Sequence, residues 1–215
     1  MEDLIKLGHS LQDFVVGFEG NVSKRIRDDK FIIKSSGSSF KTFNTNSFVT
    51  CDMSGHQLDN FSKRPSIEVS FHSWIYNNSD YTFIAHTHPV NTLKILCSNV
   101  ASEFSRSRIF PDQVVFNGKS YCLVPYALPG KPLTEEIKKV SSGYEKVPNI
   151  FLLKNHGIIC CGKSMEEVAL MTAMCEKSSE IFIGCKLLGG CESLSHSNIA
   201  DIRNSEGENH RKGLV

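Results

Sequence analysis

The run Phe83-Ile84-Ala85-His86-Thr87-His88-Pro89 constrains this chain more than any other stretch, because it reads as a buried strand that ends in two histidines. Successive strand side chains point to opposite faces, so residues two apart share a face. His86 and His88 can therefore reach one ion together while Thr87 points away. Neutral imidazole is the commonest protein ligand for zinc. The pair alone does not settle the matter, since two close histidines are more often satisfied polar or surface residues than ligands.

Around this strand the pattern alternates between helix and strand. Leu4, Leu7, Leu11, Phe14 and Val15 recur at helical spacing and predict a helix over 3–16 that stops at Gly17. A short strand follows Gly20, with Asn21 and Ser23 on one face, and Phe31–Lys34 makes a second. Ser35-Ser36-Gly37-Ser38-Ser39 is either an ordinary loop or a nest whose open N–H groups hold an anion. Phe48–Asp52 reads as a strand, and the segment through Asn60 as turns. Ser66 can cap a helix whose apolar face is Phe71, Trp74 and Ile75, which puts Glu68 in its first turn. Asn91–Val100 predicts a helix, Ser102–Arg108 a polar loop, and Val114–Phe116 and Tyr121–Val124 two strands. Pro132 opens a helix carrying Leu133, Ile137 and Val140. Asn149–Lys154 is an apolar strand ending in Asn155-His156-Gly157, and Ile158–Cys161 continues as another. Ser164-Met165-Glu166-Glu167 has capping-box spacing and starts a long helix to about Leu188, with Val168, Met171, Cys175 and Phe182 inward. One domain over 1–194 is expected, followed by a polar, loose tail over 195–215.

Composition removes several function classes. With 24 basic and 23 acidic residues the net charge is +1, so nothing draws the chain as a whole to nucleic acid or to a membrane. No segment approaches the run of about 20 apolar residues that a spanning helix needs. The acidic opening Met1-Glu2-Asp3-Leu4-Ile5-Lys6 does not read as a signal or transit peptide. The eight cysteines show no paired CxxC spacing, and several sit inside apolar runs; free thiols in a reducing cytoplasm are the expectation.

His86, His88 and His156, all at strand ends, meet the ligand count of a catalytic zinc site, which keeps its fourth position for water or substrate. Glu68 adds a carboxylate that could act as base beside the metal. Six segments in order then carry a resemblance: Gly20-Asn21-x-Ser23, Lys34-Ser35-Ser36-Gly37, Pro65-Ser66-x-Glu68, His86-x-His88-Pro89, Pro125-Tyr126-Ala127 to Gly130, and Asn155-His156-Gly157 with Gly162 behind it. In these the chain resembles the class II aldolase/adducin family over about residues 5 to 190.

The resemblance implies a three-layer α/β/α fold with a largely antiparallel central sheet, assembled as a homotetramer with active sites at subunit interfaces. It implies a divalent ion, normally zinc but alternatively manganese, cobalt or iron, on His86, His88 and His156. It makes Glu68 the acid/base and places Asn21, Ser36, Gly37 and Ser66 around a substrate phosphate. The implied activity is reversible retro-aldol cleavage of a ketose phosphate or related sugar through a metal-stabilised enediolate. A sugar-phosphate epimerase, a dehydratase, a sugar-acid phosphate decarboxylase and a non-catalytic adducin-like scaffold are the alternatives. Two positions depart from the fuculose-phosphate aldolase pattern. Ile67 stands where those enzymes have a second serine, and no clear match exists for their tyrosine acids, which leaves Asp112 as the candidate proton donor.

Overall fold

The computed structural model describes residues 1–59 and 62–213; Asn60, at the end of the turn-rich segment, and the last two residues of the tail lie outside the described residues. Seven strands form one sheet: β1 (Asn21–Arg27), β2 (Lys30–Lys34), β3 (Phe48–Asp52), β4 (Phe83–Thr87), β5 (Cys122–Val124), β6 (Ile150–Leu153) and β7 (Gly157–Gly162). Their order is β3-β2-β1-β4-β7-β6-β5. Every adjacent pair is antiparallel except β5–β6. The expected largely antiparallel sheet is what the chain builds, and β4, the histidine strand, lies at its middle.

Both faces of the sheet are covered, which is why β4, β6 and β7 read as continuous apolar runs. Phe83 and Ala85 of β4, with Ile158 and Cys160 of β7, pack into one core. That core also holds Leu4, Leu7 and Leu11 of α1 (Glu2–Leu11), Ile95 and Leu96 of α3 (Val90–Leu96), Phe104 of α4 (Ala101–Arg106), and Val168, Met171, Cys175 and Phe182 of α7 (Met165–Leu187). Ile84, Ile159 and Cys161 point the other way, against Phe71, Ile75 and Tyr76 of α2 (Val69–Asn78) and Leu133 and Ile137 of α6 (Lys131–Ser141). The three layers follow from this alternation. All eight cysteines are free, and five of them are buried.

The long helix forms as its cap predicts, with the Glu167 N–H donating to Ser164 Oγ at 3.0 Å. Four expectations differ. Val114–Phe116 is not a strand but part of α5 (Pro111–Asn117). Pro111 in its first turn presets φ, and burial of Val114 and Val115 outweighs the few tenths of a kcal/mol by which β-branched residues disfavour helix. The predicted polar loop over 102–108 begins as α4, six residues too short to show a period yet anchored by Ala101 and Phe104. The first helix ends at Leu11 and tightens into a 3-10 turn over Gln12–Phe14. Finally, the tail expected to be loose carries α8 (His196–Asn204) and α9 (Glu206–Lys212). Both lie against α5, fastened by Leu194 N–H to the Arg108 carbonyl and by Arg211 to Asp112 at 2.8 Å.

Candidate metal centre

The three histidines arrive from two neighbouring strands. His86 is the penultimate residue of β4, its ring edge-on to Phe71, and His88 follows one residue past the strand end. His156 sits in the tight β6–β7 connection, where Asn155 takes the left-handed conformation (φ 57°) that asparagine tolerates better than most residues. One ligand nitrogen from each of His86, His88 and His156 lies within 4.8 Å of the others. No other group of three or more potential ligands converges among the described residues.

Two glycines make this approach possible. A Cβ on Gly157 would stand 2.5 Å from both His88 Cδ2 and the Thr87 carbonyl. Gly20 has φ +62°, and its Cβ would meet the His86 carbonyl at 2.5 Å. Gly157→Ala should accordingly displace the His88 ring and weaken metal binding by at least about 10-fold, the lower end for a disturbed outer shell. Titration of the purified variant with zinc measures this, and wild-type affinity would count against the packing argument.

The hydrogen bonds show why a cation fits. His86 Nδ1 donates to the Ile158 carbonyl at 2.8 Å, which leaves the Nε2 lone pair facing the site. His88 Nδ1 stands 3.4 Å from Glu19 Oε2, so its proton belongs on that side and its Nε2 is bare as well. These two bare nitrogens are 3.0 Å apart. Like lone pairs repel at that distance unless a positive charge lies between them, and two imidazole nitrogens on a tetrahedral zinc stand about 3.3 Å apart. His156 Nδ1 is buried without a hydrogen-bond partner, so that ring surrenders nothing by adjusting. Burial pushes the His86 imidazole down to about 3, aided by His156, and burial also lowers His88 and His156. All three are held in the neutral form that binds metal.

Glu68 faces this cluster from the N-cap of α2, one residue before the first turn where the sequence put it. The Ser66 hydroxyl accepts from the Glu68 N–H at 3.3 Å and so orders the helix start. Glu68 Oε2 lies 3.3 Å from His86 Nε2 and accepts from Asn21 Nδ2 at 2.9 Å. Glu68 Oε1 lies 3.5 Å from His156 Nε2 and has no hydrogen-bond donor. Burial raises the carboxyl's pKa, against the opposing pull of His156 and the Asn21 hydrogen bond.

Glu68, His88 and His156 border a cleft of about 280 Å³ that Asn21, Lys34, Ser36, Gly37 and Ser66 also line. Ser36 gives its own N–H to the Arg64 carbonyl (2.8 Å), so the loop presents the Ser36 hydroxyl and the exposed Gly37, held at φ +78°. Both hydrogens of the Asn21 amide are engaged, by Glu68 and by Ser66 Oγ at 3.1 Å. Asp112 does not border the cleft; it is on α5, paired with Arg211.

Sequence reasoning gave no role to Lys34, His72 or Tyr76. Lys34 is 3% exposed and its ammonium donates to the Phe18 carbonyl at 2.8 Å. Burial lowers its pKa to about 8, opposed by Glu68. A charged residue inside an otherwise apolar strand was the available signal. For His72 and Tyr76 it was the four-residue spacing from Glu68, which places all three on one helical face.

The family model for the Class II Aldolase and Adducin N-terminal domain matches residues 2–183. A 3-oxo-tetronate 4-phosphate decarboxylase of Haemophilus influenzae is 27% identical over 185 residues, covering 84% of this chain and 85% of its own. An L-fuculose phosphate aldolase of Methanococcus maripaludis is 30% identical over 183 residues, covering 83% and 93%. Among solved structures, YgbL of Escherichia coli superposes with a TM-score of 0.80 at 23% identity, covering 94% of this chain and 97% of its own. This last likeness is one of fold.

Proposed function

Because this chain belongs to the class II aldolase and adducin N-terminal domain family, we propose that it is a divalent-metal-dependent lyase that cleaves a carbon–carbon bond of a ketose phosphate by retro-aldol chemistry. The observation that carries the reading is the placing of Glu68, a buried carboxylate between His86 and His156 with one oxygen tied and one free. His86, His88 and His156 would hold the ion, with zinc the first choice for an all-imidazole set. When bound, a divalent ion supplies Lewis-acid polarisation of substrate carbonyl and hydroxyl oxygens.

The chain's own groups divide the remaining work. Glu68 Oε2 is occupied by the Asn21 N–H, so Oε1 is the oxygen that takes up and returns a proton. Its raised pKa brings proton affinity toward neutral pH, where such a group exchanges most readily. The Lys34 ammonium, the Ser36 and Ser66 hydroxyls and Gly37 form the side of the cleft that suits a phosphate, with Asn21 holding Ser66 in place. The exposed apolar residues Phe18 and Ile67 line the same cleft and Leu128 neighbours Pro129 in its wall, which supports a homotetramer whose subunits meet there. Asp112 would donate a proton only across such an interface. No helix among the described residues is long and apolar enough to cross a membrane, and the free thiols fit a cytoplasmic setting.

Decarboxylation of a sugar-acid phosphate is the second reading, and one observation favours it. Of the two carboxyls that line the described cleft, Glu19 is turned to His88 Nδ1 and the Val16 N–H, which leaves Glu68 as the one with a buried oxygen free for proton transfer. Retro-aldol cleavage needs a base for the substrate hydroxyl as well as a donor to the new carbanion, whereas loss of carbon dioxide needs only the donor. Incubating the zinc-loaded protein with ketose 1-phosphates and with 3-oxo sugar-acid phosphates separates the two. Triose phosphate as product supports the aldolase, and released carbon dioxide replaces it with the decarboxylase.

A further inference from the structure

Behind Glu68 a line of buried polar groups leads away from the cleft, and the chemistry above makes no use of it beyond Asn21. Glu68, His72 and Tyr76 share one face of α2 and its cap, opposite Asn21 and Ser23 on β1. Tyr76 Oη is 2.7 Å from Ser23 Oγ, which is 2.7 Å from His72 Nδ1. His72 Nε2 reaches Asn21 Oδ1 at 2.5 Å, and Asn21 Nδ2 reaches Glu68 Oε2 at 2.9 Å. None of these five residues is more than 6% exposed.

Donor and acceptor capacity gives the line one direction. A carboxylate can only accept, so Asn21 must turn its Nδ2–H to Glu68 and its Oδ1 to His72. Oδ1 can only accept, so His72 carries a hydrogen on Nε2. The imidazole is neutral, because burial depresses its pKa well below the ordinary value and the nearby His86 adds to this. Its Nδ1 is therefore bare and takes the Ser23 hydroxyl hydrogen, and the Ser23 oxygen in turn accepts from Tyr76. Four hydrogens point in sequence toward Glu68. In the other tautomer the Asn21 amide would reverse and set its carbonyl oxygen against the carboxylate.

We propose that His72 is a positioning residue, which through its Nε2–H tautomer fixes the Asn21 amide and so keeps Glu68 with Oε2 tied and Oε1 directed at His156. The inference rests on the reading of Glu68 as the proton-carrying group. Ser23 and Tyr76 serve it by fixing the tautomer. Phenylalanine at position 72 would fill the same space but orient nothing, whereas glutamine can donate to Asn21 and accept from Ser23.

The direct test is a long-range proton–nitrogen correlation spectrum of the metal-free, nitrogen-15-labelled protein at neutral pH, with His72→Gln used to assign the signal. A hydrogen on Nε2 and a bare Nδ1 are expected; a hydrogen on Nδ1, alone or in an imidazolium, overturns the proposal. In the zinc-loaded enzyme, His72→Phe should lower kcat by about 10–100-fold, as loss of an outer-shell partner does, with KM and metal content unchanged, and His72→Gln should recover most of it. An undiminished kcat in His72→Phe, or equal losses in the two variants, refutes the positioning role. Should Glu68→Gln keep full turnover, the reading of Glu68 fails while the tautomer result stands, so the two failures are distinguishable.

Discussion

Replacing Glu68 by glutamine should leave the metal bound and lower turnover by about 10²–10⁴-fold, the usual contribution of a positioned acid–base group. Glutamine keeps the length and shape of the side chain, and its carbonyl oxygen can still accept from Asn21. What it cannot do is take up a proton at the position of Oε1, the oxygen that has no donor of its own. Because the three imidazoles are untouched, elemental analysis should still find one divalent ion per subunit. Loss of turnover with full metal separates the proton carrier from the ligand set; turnover at the wild-type level would remove Glu68 from the mechanism.

Loss of a ligand should behave in the opposite order. His86→Ala removes the histidine whose Nε2 faces both His88 and Glu68, and metal content should fall below detection, with activity following it. The expected drop in affinity exceeds the about 10–100-fold caused by disturbing an outer-shell partner. This variant also removes a buried hydrogen bond, the one that His86 Nδ1 gives the Ile158 carbonyl, at about 0.5–1.5 kcal/mol. His88→Ala is the cleaner companion, since His88 is partly exposed and lies beyond the last residue of β4. If elemental analysis found a full complement of metal in both variants, the assignment of the centre would be wrong.

The centre and its scaffold were legible from the sequence to different depths. The β4, β6 and β7 segments are buried on both faces, so their apolar runs stand out without any need to know the partner strands. The cap on α7 is a local signal of the same kind. Val114 and Val115 misled because propensity is a weak local preference, and the packing that overrides it comes from elsewhere in the chain. The tail misled for a related reason, since α8 and α9 have little apolar surface and are held by contacts to α5 that no local pattern reveals. Convergence of three histidines could be proposed from strand ends. The use of Asn21 could not, because whether an amide faces a ligand or a neighbouring carboxylate depends on a helix nearly fifty residues away, as the separation of 47 between Asn21 and Glu68 shows.

The two glycines pressed against the end of β4 bear on how such a protein can change. Any side chain at Gly20 or Gly157 collides with the histidine strand, so substitution there is barred by geometry before chemistry is even tested. Ile67, by contrast, is 72% exposed at the cleft mouth and meets no such barrier. Change on this scaffold is thereby channelled to the entrance, where side chains can be exchanged by single steps, while the three-histidine cluster is fenced in by backbone.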